Sequence, residues 1–94
     1  MKLIVAVVHR DDAQALTRAL AENGFQATRL ASWGGFLHQE NATFLIGVED
    51  DRLDEVKALI VEKAEARRVP HEGGELEIGG AVLFVLDVVE FLKL

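Results

Sequence analysis

Six apolar residues in a row, Leu3-Ile4-Val5-Ala6-Val7-Val8, most of them β-branched, constrain this chain more than any other feature. The run is too short to cross a membrane and too unbroken for a strand with one wet face. It reads as a central strand covered on both sides. Two later runs repeat the signal, Thr43-Phe44-Leu45-Ile46-Gly47-Val48 and Ala81-Val82-Leu83-Phe84-Val85-Leu86. Any fold for this chain must bury a sheet built around three such strands.

Helical patterns lie between them. Asp11 is placed to cap a helix over 11–23, with Gln14 as its capping-box partner and Ala13, Leu16, Ala19 and Leu20 as the apolar stripe; Asn23-Gly24 ends it. Phe25 to Ser32 alternates imperfectly as a second strand, and Trp33-Gly34-Gly35 opens a loop reaching Asn41. After the third strand, Asp50 or Asp51 caps a helix whose face is Leu53, Val56, Leu59, Ile60 and Ala64. Arg67-Arg68 sit near its end, and Pro70 stops it. Glu72-Gly73-Gly74-Glu75 reads as a turn, Leu76-Glu77-Ile78 as extended chain, Gly79-Gly80 as a bulge or close approach, and Val88–Leu94 as an apolar tail.

Strand, helix, strand, strand, helix, strand predicts an α+β class, a ferredoxin-like βαββαβ fold with two helices on one face of an antiparallel sheet. Ninety-four residues predict one domain over 1–94. The helix-free face is then bare and apolar, and another copy of the chain is its simplest cover, in a cyclic dimer or trimer. A poorly soluble monomer and a different protein partner are the rival readings.

Composition removes other classes. With 50% hydrophobic and 28% charged residues the chain is not disordered. A net charge of −6 argues against DNA or RNA as a partner, and the absence of cysteine excludes disulfides and thiolate chemistry. The apolar runs are too short for a membrane span, so the expected location is cytoplasmic. His9, His38 and His71 lack metal-site spacing, and Asp11-Asp12 and Asp50-Asp51 are explained by capping. No catalytic residue, metal site or cofactor is therefore expected, and the chain reads as a non-enzyme. An acylphosphatase-like site would need a glycine-rich phosphate loop where His9-Arg10-Asp11-Asp12 stands.

The loop after the second strand is different. Trp33, Phe36 and Leu37 place large apolar side chains between two strands, beside the Gly34-Gly35 pair. Either a neighbouring subunit or a flat heterocycle could bury them. Glycine amides, Asn41 with both donor and acceptor, and the Thr28 hydroxyl could read the edge of such a base.

The string Phe25-Gln26-Ala27-Thr28-Arg29-Leu30-Ala31-Ser32-Trp33-Gly34-Gly35-Phe36-Leu37, followed by Asn41–Val48, resembles the signature of the PII-like cyclic-di-AMP receptors. Met1–Val8, Asp50-Asp51 and Glu77–Val85 resemble the family as well. The resemblance implies a ferredoxin-like PII-like homotrimer that binds cyclic di-AMP in clefts between subunits and relays its state to a protein partner. Carried over by position, the ligand residues are Thr28, Gly35, Phe36, Leu37, Asn41 and Gly47; Gly47 comes from the resemblance alone. The chain departs from the family at Gly24 and Gln26, where Asn and Arg are usual, at Trp33, and in the short connection Arg67–Leu76. Those departures keep open a PII-related trimer that binds another nucleotide or serves as a scaffold. A metal-tolerance protein of the CutA type shares the fold, but cysteine and paired histidines are missing.

Overall fold

The computed structural model describes residues 1–30, 41–64, 67–71, 74–78 and 80–94. Its elements are β1 (Lys2–His9), α1 (Arg10–Glu22), β2 (Ala27–Leu30), β3 (Asn41–Val48), a 3-10 turn at Asp50–Arg52, α2 (Leu53–Lys63), β4 (Arg67–His71), β5 (Gly74–Ile78) and β6 (Ala81–Asp87). Four strands form an antiparallel sheet in the order β2-β3-β1-β6, so β1 is central, as its unbroken apolar run predicts. With two helices, this is an α+β arrangement consistent with the ferredoxin-like expectation.

Register decides which side chains share a face, because successive residues of a strand point to opposite sides. Ile4, Ala6 and Val8 of β1 stand opposite Ile46, Phe44 and Ala42 of β3 and are buried with them. Ala13, Leu16 and Leu20 of α1 and Val56 and Ile60 of α2 join the same cluster. Both helices therefore cover one face. Each fully buried Ile, Leu or Phe there contributes about 1.5–3 kcal/mol.

Leu3, Val5 and Val7 of β1 line the helix-free face together with their cross-strand partners. One cross-strand row runs Thr28, Leu45, Val5, Phe84; another runs Gly47, Leu3, Leu86; a third runs Leu30, Thr43, Val7, Val82. On the edge strand β6, Val82 is 54% exposed and Phe84 and Leu86 are each 48% exposed. The apolar helix-free face expected from the sequence is present.

Thr43 breaks that apolar pattern. Its hydroxyl is buried and has no hydrogen-bond partner among the described residues. An unpaired buried hydroxyl costs about 1–3 kcal/mol, and Thr43→Val removes it while keeping the branched shape. Thermal denaturation of Thr43→Val is expected to show a midpoint raised by about 4–8 °C per kcal/mol recovered. A lower midpoint would show that the hydroxyl is bonded.

Several boundaries differ from expectation. β1 runs on to His9, which becomes the N-cap of α1 in place of Asp11: its ring Nδ1 accepts a hydrogen bond from the Asp11 amide at 3.1 Å. At the second helix the Asp50–Arg52 turn comes first, and Arg52 at the cap position makes no side-chain capping bond. That helix ends at Lys63, so Arg67-Arg68 do not close it. Arg67–His71 instead pairs with Gly74–Ile78 as a two-stranded antiparallel hairpin, adding two strands to the expected four. The extended reading of Leu76-Glu77-Ile78 holds within β5. Among the described residues no helix is long and apolar enough to cross a membrane.

Candidate functional site

The helix-free face carries a cavity of about 370 Å³ at one end of the sheet. Leu3, Leu45 and Gly47 form its floor, Gln26, Ala27 and Thr28 one side, and Met1, Val88 and Phe91 the other. The size falls in the lower part of the range for small-molecule sites, about 300–1,000 Å³, and the mix of apolar wall and few polar groups is typical of them. The Thr28 hydroxyl and the Gln26 amide are its polar side chains.

Two of the expected site residues, Thr28 and Gly47, meet here. Thr28 reaches the cavity because β2 pairs with β3 in the register Thr28 to Leu45, two residues from Gly47. Gly47 has no positive φ, a conformation found only at Gly24 among the described residues, so its backbone does not require glycine. Space there is tight: a Cβ would lie 3.0 Å from Met1 Cε, the far end of a flexible side chain.

Asn41 lies on the same face but not in the cavity. It begins β3 opposite His9, six residues from Gly47, which along a strand is about 20 Å. Gly35, Phe36 and Leu37, with Trp33 and His38, lie outside the described residues.

Both chain ends build the far wall. The Met1 amino group pairs with Asp50 at 2.9 Å, the Met1 carbonyl accepts from the Val88 amide at 3.2 Å, and Lys2 pairs with Asp87. The hydrogen bond from the N-terminal ammonium, then its charge, holds the Asp50 carboxyl below its ordinary value. This depressed value makes the pair's contribution present at neutral pH and lost as pH falls through it; both groups being wet, the contribution is small. Met1, Leu3, Leu45, Val88 and Phe91 are cavity residues that the sequence did not single out. Their signal was weak: alternation places Leu3 and Leu45 on the bare face, while nothing local folds the tail back to Met1.

A smaller cleft of about 230 Å³ adjoins the first, sharing Gln26 and Gly47 and adding Gly24, Phe25 and Arg52. Arg52 is committed there. Its guanidinium lies 4.0 Å from the Phe25 ring centroid, bonds both Glu55 carboxylate oxygens at 3.1 Å, and donates to the Asn23 carbonyl at 2.9 Å. That pairing raises the Arg52 pKa and lowers that of Glu55.

Gly24 now has a structural reason. With φ of +79°, it is the left-handed residue that ends α1, where its amide donates to the Ala21 carbonyl and the Phe25 amide to the Leu20 carbonyl. Glycine and asparagine are the residues that favour this position, so a change between them at 24 serves the helix end equally well. Gln26 has no such explanation and stands at the cavity's edge.

Among the described residues no group of three His, Asp or Glu side chains could hold a metal ion. Comparison with known proteins places the chain. A crystal structure of a functionally unknown protein from Pediococcus pentosaceus ATCC 25745 matches with a TM-score of 0.80 and 34% sequence identity over 99% of this chain and 96% of that one. The family model described as cyclic-di-AMP receptor matches residues 1–72, which takes in β1, α1, β2, β3, α2 and β4 with the cavity's floor and polar side. The chain belongs to the cyclic-di-AMP receptor family.

Proposed function

We propose that this protein is a PII-like signalling receptor that binds cyclic di-AMP between the subunits of a homotrimer and passes its state to a protein partner. The observation that carries the proposal is the 370 Å³ cavity, which pairs apolar walls with the Thr28 hydroxyl in a chain of this receptor family. It is sized for one base and sugar of a dinucleotide, and the rest of the ligand extends along the helix-free face.

Self-association and binding form one proposal. The helix-free face needs cover, and a neighbouring copy supplies it. Asn41, about 20 Å from Gly47 in its own protomer, reaches a ligand in the cavity from that neighbouring copy. Gly35, Phe36 and Leu37 are the further ligand contacts that the proposal includes. The described cation beside the cavity, Arg52, is already paired with Glu55, so affinity there rests on burial and hydrogen bonds more than on charge.

Calorimetric titration tests this directly. Cyclic di-AMP is expected to bind at one site per protomer and far more tightly than AMP or cyclic di-GMP. A titration with no heat, joined by no thermal shift, overturns the reading and leaves an interaction scaffold.

A further inference from the structure

The segment Val88–Leu94 follows β6 without forming helix or strand, yet it is tied down at its start. The Val88 amide donates to Met1, and Lys2 holds Asp87. This tie turns the chain back across the end of the sheet and brings Val88 and Phe91 to the cavity. Phe91 remains 64% exposed, a costly place for a phenyl ring unless something covers its face.

The opposite side of the cavity explains what could cover it. Leu3 and Leu45 present aliphatic side chains and Gly47 presents none, so the space between sheet and tail has an apolar floor. Its polar groups, Thr28 and Gln26, stand along one edge. An apolar floor with a phenyl ring beside it and a polar edge suits a flat heterocycle.

Resting on the cyclic di-AMP reading, we propose that Phe91 is a ligand-contacting residue: its ring lies over one adenine of the bound nucleotide and presses it against Leu3 and Leu45. The tail is then a strap whose Phe91 is half uncovered until ligand arrives. Binding covers the ring and fixes the strap, so ligand occupancy is written into the C-terminal surface that Val89, Leu92 and Leu94 present to solvent.

The test compares cyclic di-AMP affinity by calorimetry across wild type, Phe91→Ala, Phe91→Leu and Phe91→Trp. Removing an aromatic that stacks on a base typically costs about tenfold to a hundredfold in affinity. Phe91→Ala is expected to lose that much, Phe91→Leu most of it, and Phe91→Trp little or none. Unliganded thermal midpoints should agree, because the ring is mostly outside the fold. In wild type, proton NMR is expected to show transfer between the Phe91 ring and the adenine protons, a readout that needs no variant to fold. Wild type that does not bind overturns the cyclic di-AMP reading and the role of Phe91 with it. Wild type that binds, with Phe91→Ala binding equally, overturns the role of Phe91 alone. Equal weakening by all three substitutions, or no ring-to-adenine transfer, also overturns it.

Discussion

Leu86→Glu is expected to leave the protomer folded and to break the assembly into monomers. Leu86 sits on the edge strand β6, opposite Leu3 on the helix-free face, and is 48% exposed in the protomer. A polar substitution at such a half-wet position costs the isolated protomer little, about 0.5 kcal/mol or somewhat more. In an assembly that covers this face, the same carboxylate is buried without a partner, at about 3–5 kcal/mol per interface. A closed ring repeats the defect at every interface, so the loss multiplies. Sedimentation at micromolar concentration should show wild type as a trimer and Leu86→Glu as a monomer, with a thermal midpoint that has lost its dependence on protein concentration. Val61→Glu is the control. Val61 is exposed on α2, on the helix-covered side of the sheet, and the change there should leave both mass and midpoint alone. A wild type that sediments as a monomer, or a Leu86→Glu that remains a trimer, would remove the self-association proposal and the shared cleft with it.

The strands and helices that carry this face were legible for unequal reasons. β1, β3 and β6 are long apolar runs with no competing helical period, and the structure keeps all three close to their sequence limits. α1 ends where Asn23-Gly24 ends it, because a left-handed residue is a local requirement that needs no tertiary information. The end of α2 was not legible. Lys63-Ala64-Glu65-Ala66-Arg67-Arg68 consists of strong helix formers, and only hairpin pairing with Gly74–Ile78 takes Arg67–His71 into a strand. Pro70 is tolerated there because both strands of a two-stranded hairpin are edge strands. His9 shows a similar competition: Asp11 is the better cap by residue type, but strand pairing to Asn41 carries β1 one residue past Val8, to His9.

The site was legible where chemistry alone marks a residue and illegible where the fold assembles it. Thr28 offers a hydroxyl wherever it falls, and the register of β2 puts it in the cavity. Met1 and Phe91 are unremarkable in sequence and become neighbours only because β1 and β6 pair from Lys2 to Asp87, which brings the two ends of the chain together. Gly47 lies between these cases. A glycine within a strand signals a close approach without saying to what; here the close neighbour is Met1, and the space kept open is the cavity's floor.

Gly47→Val follows from that geometry and has the largest expected effect on binding. The backbone at 47 is ordinary strand, and a β-branched residue suits it, so valine introduces no conformational strain. Its Cβ would stand 3.0 Å from Met1 Cε, the far end of a flexible side chain that can swing aside. The added methyl groups then occupy the cavity that Gly47 shares with Thr28 and Leu45. Folding is expected to be nearly unchanged, within about 1 kcal/mol by thermal denaturation. Cyclic di-AMP affinity is expected to fall by about a hundredfold or more, because a base cannot share the cavity with a side chain and a displaced ligand loses its burial and its Thr28 contact together. Gly47→Ala should lie between, since one methyl moves Met1 but intrudes less. The order glycine, alanine, valine in affinity, set against a flat stability, separates loss of space from loss of fold. Wild-type affinity in Gly47→Val would mean that cyclic di-AMP binds elsewhere on the molecule, because no rearrangement of Met1 can restore the volume that two methyl groups of valine fill.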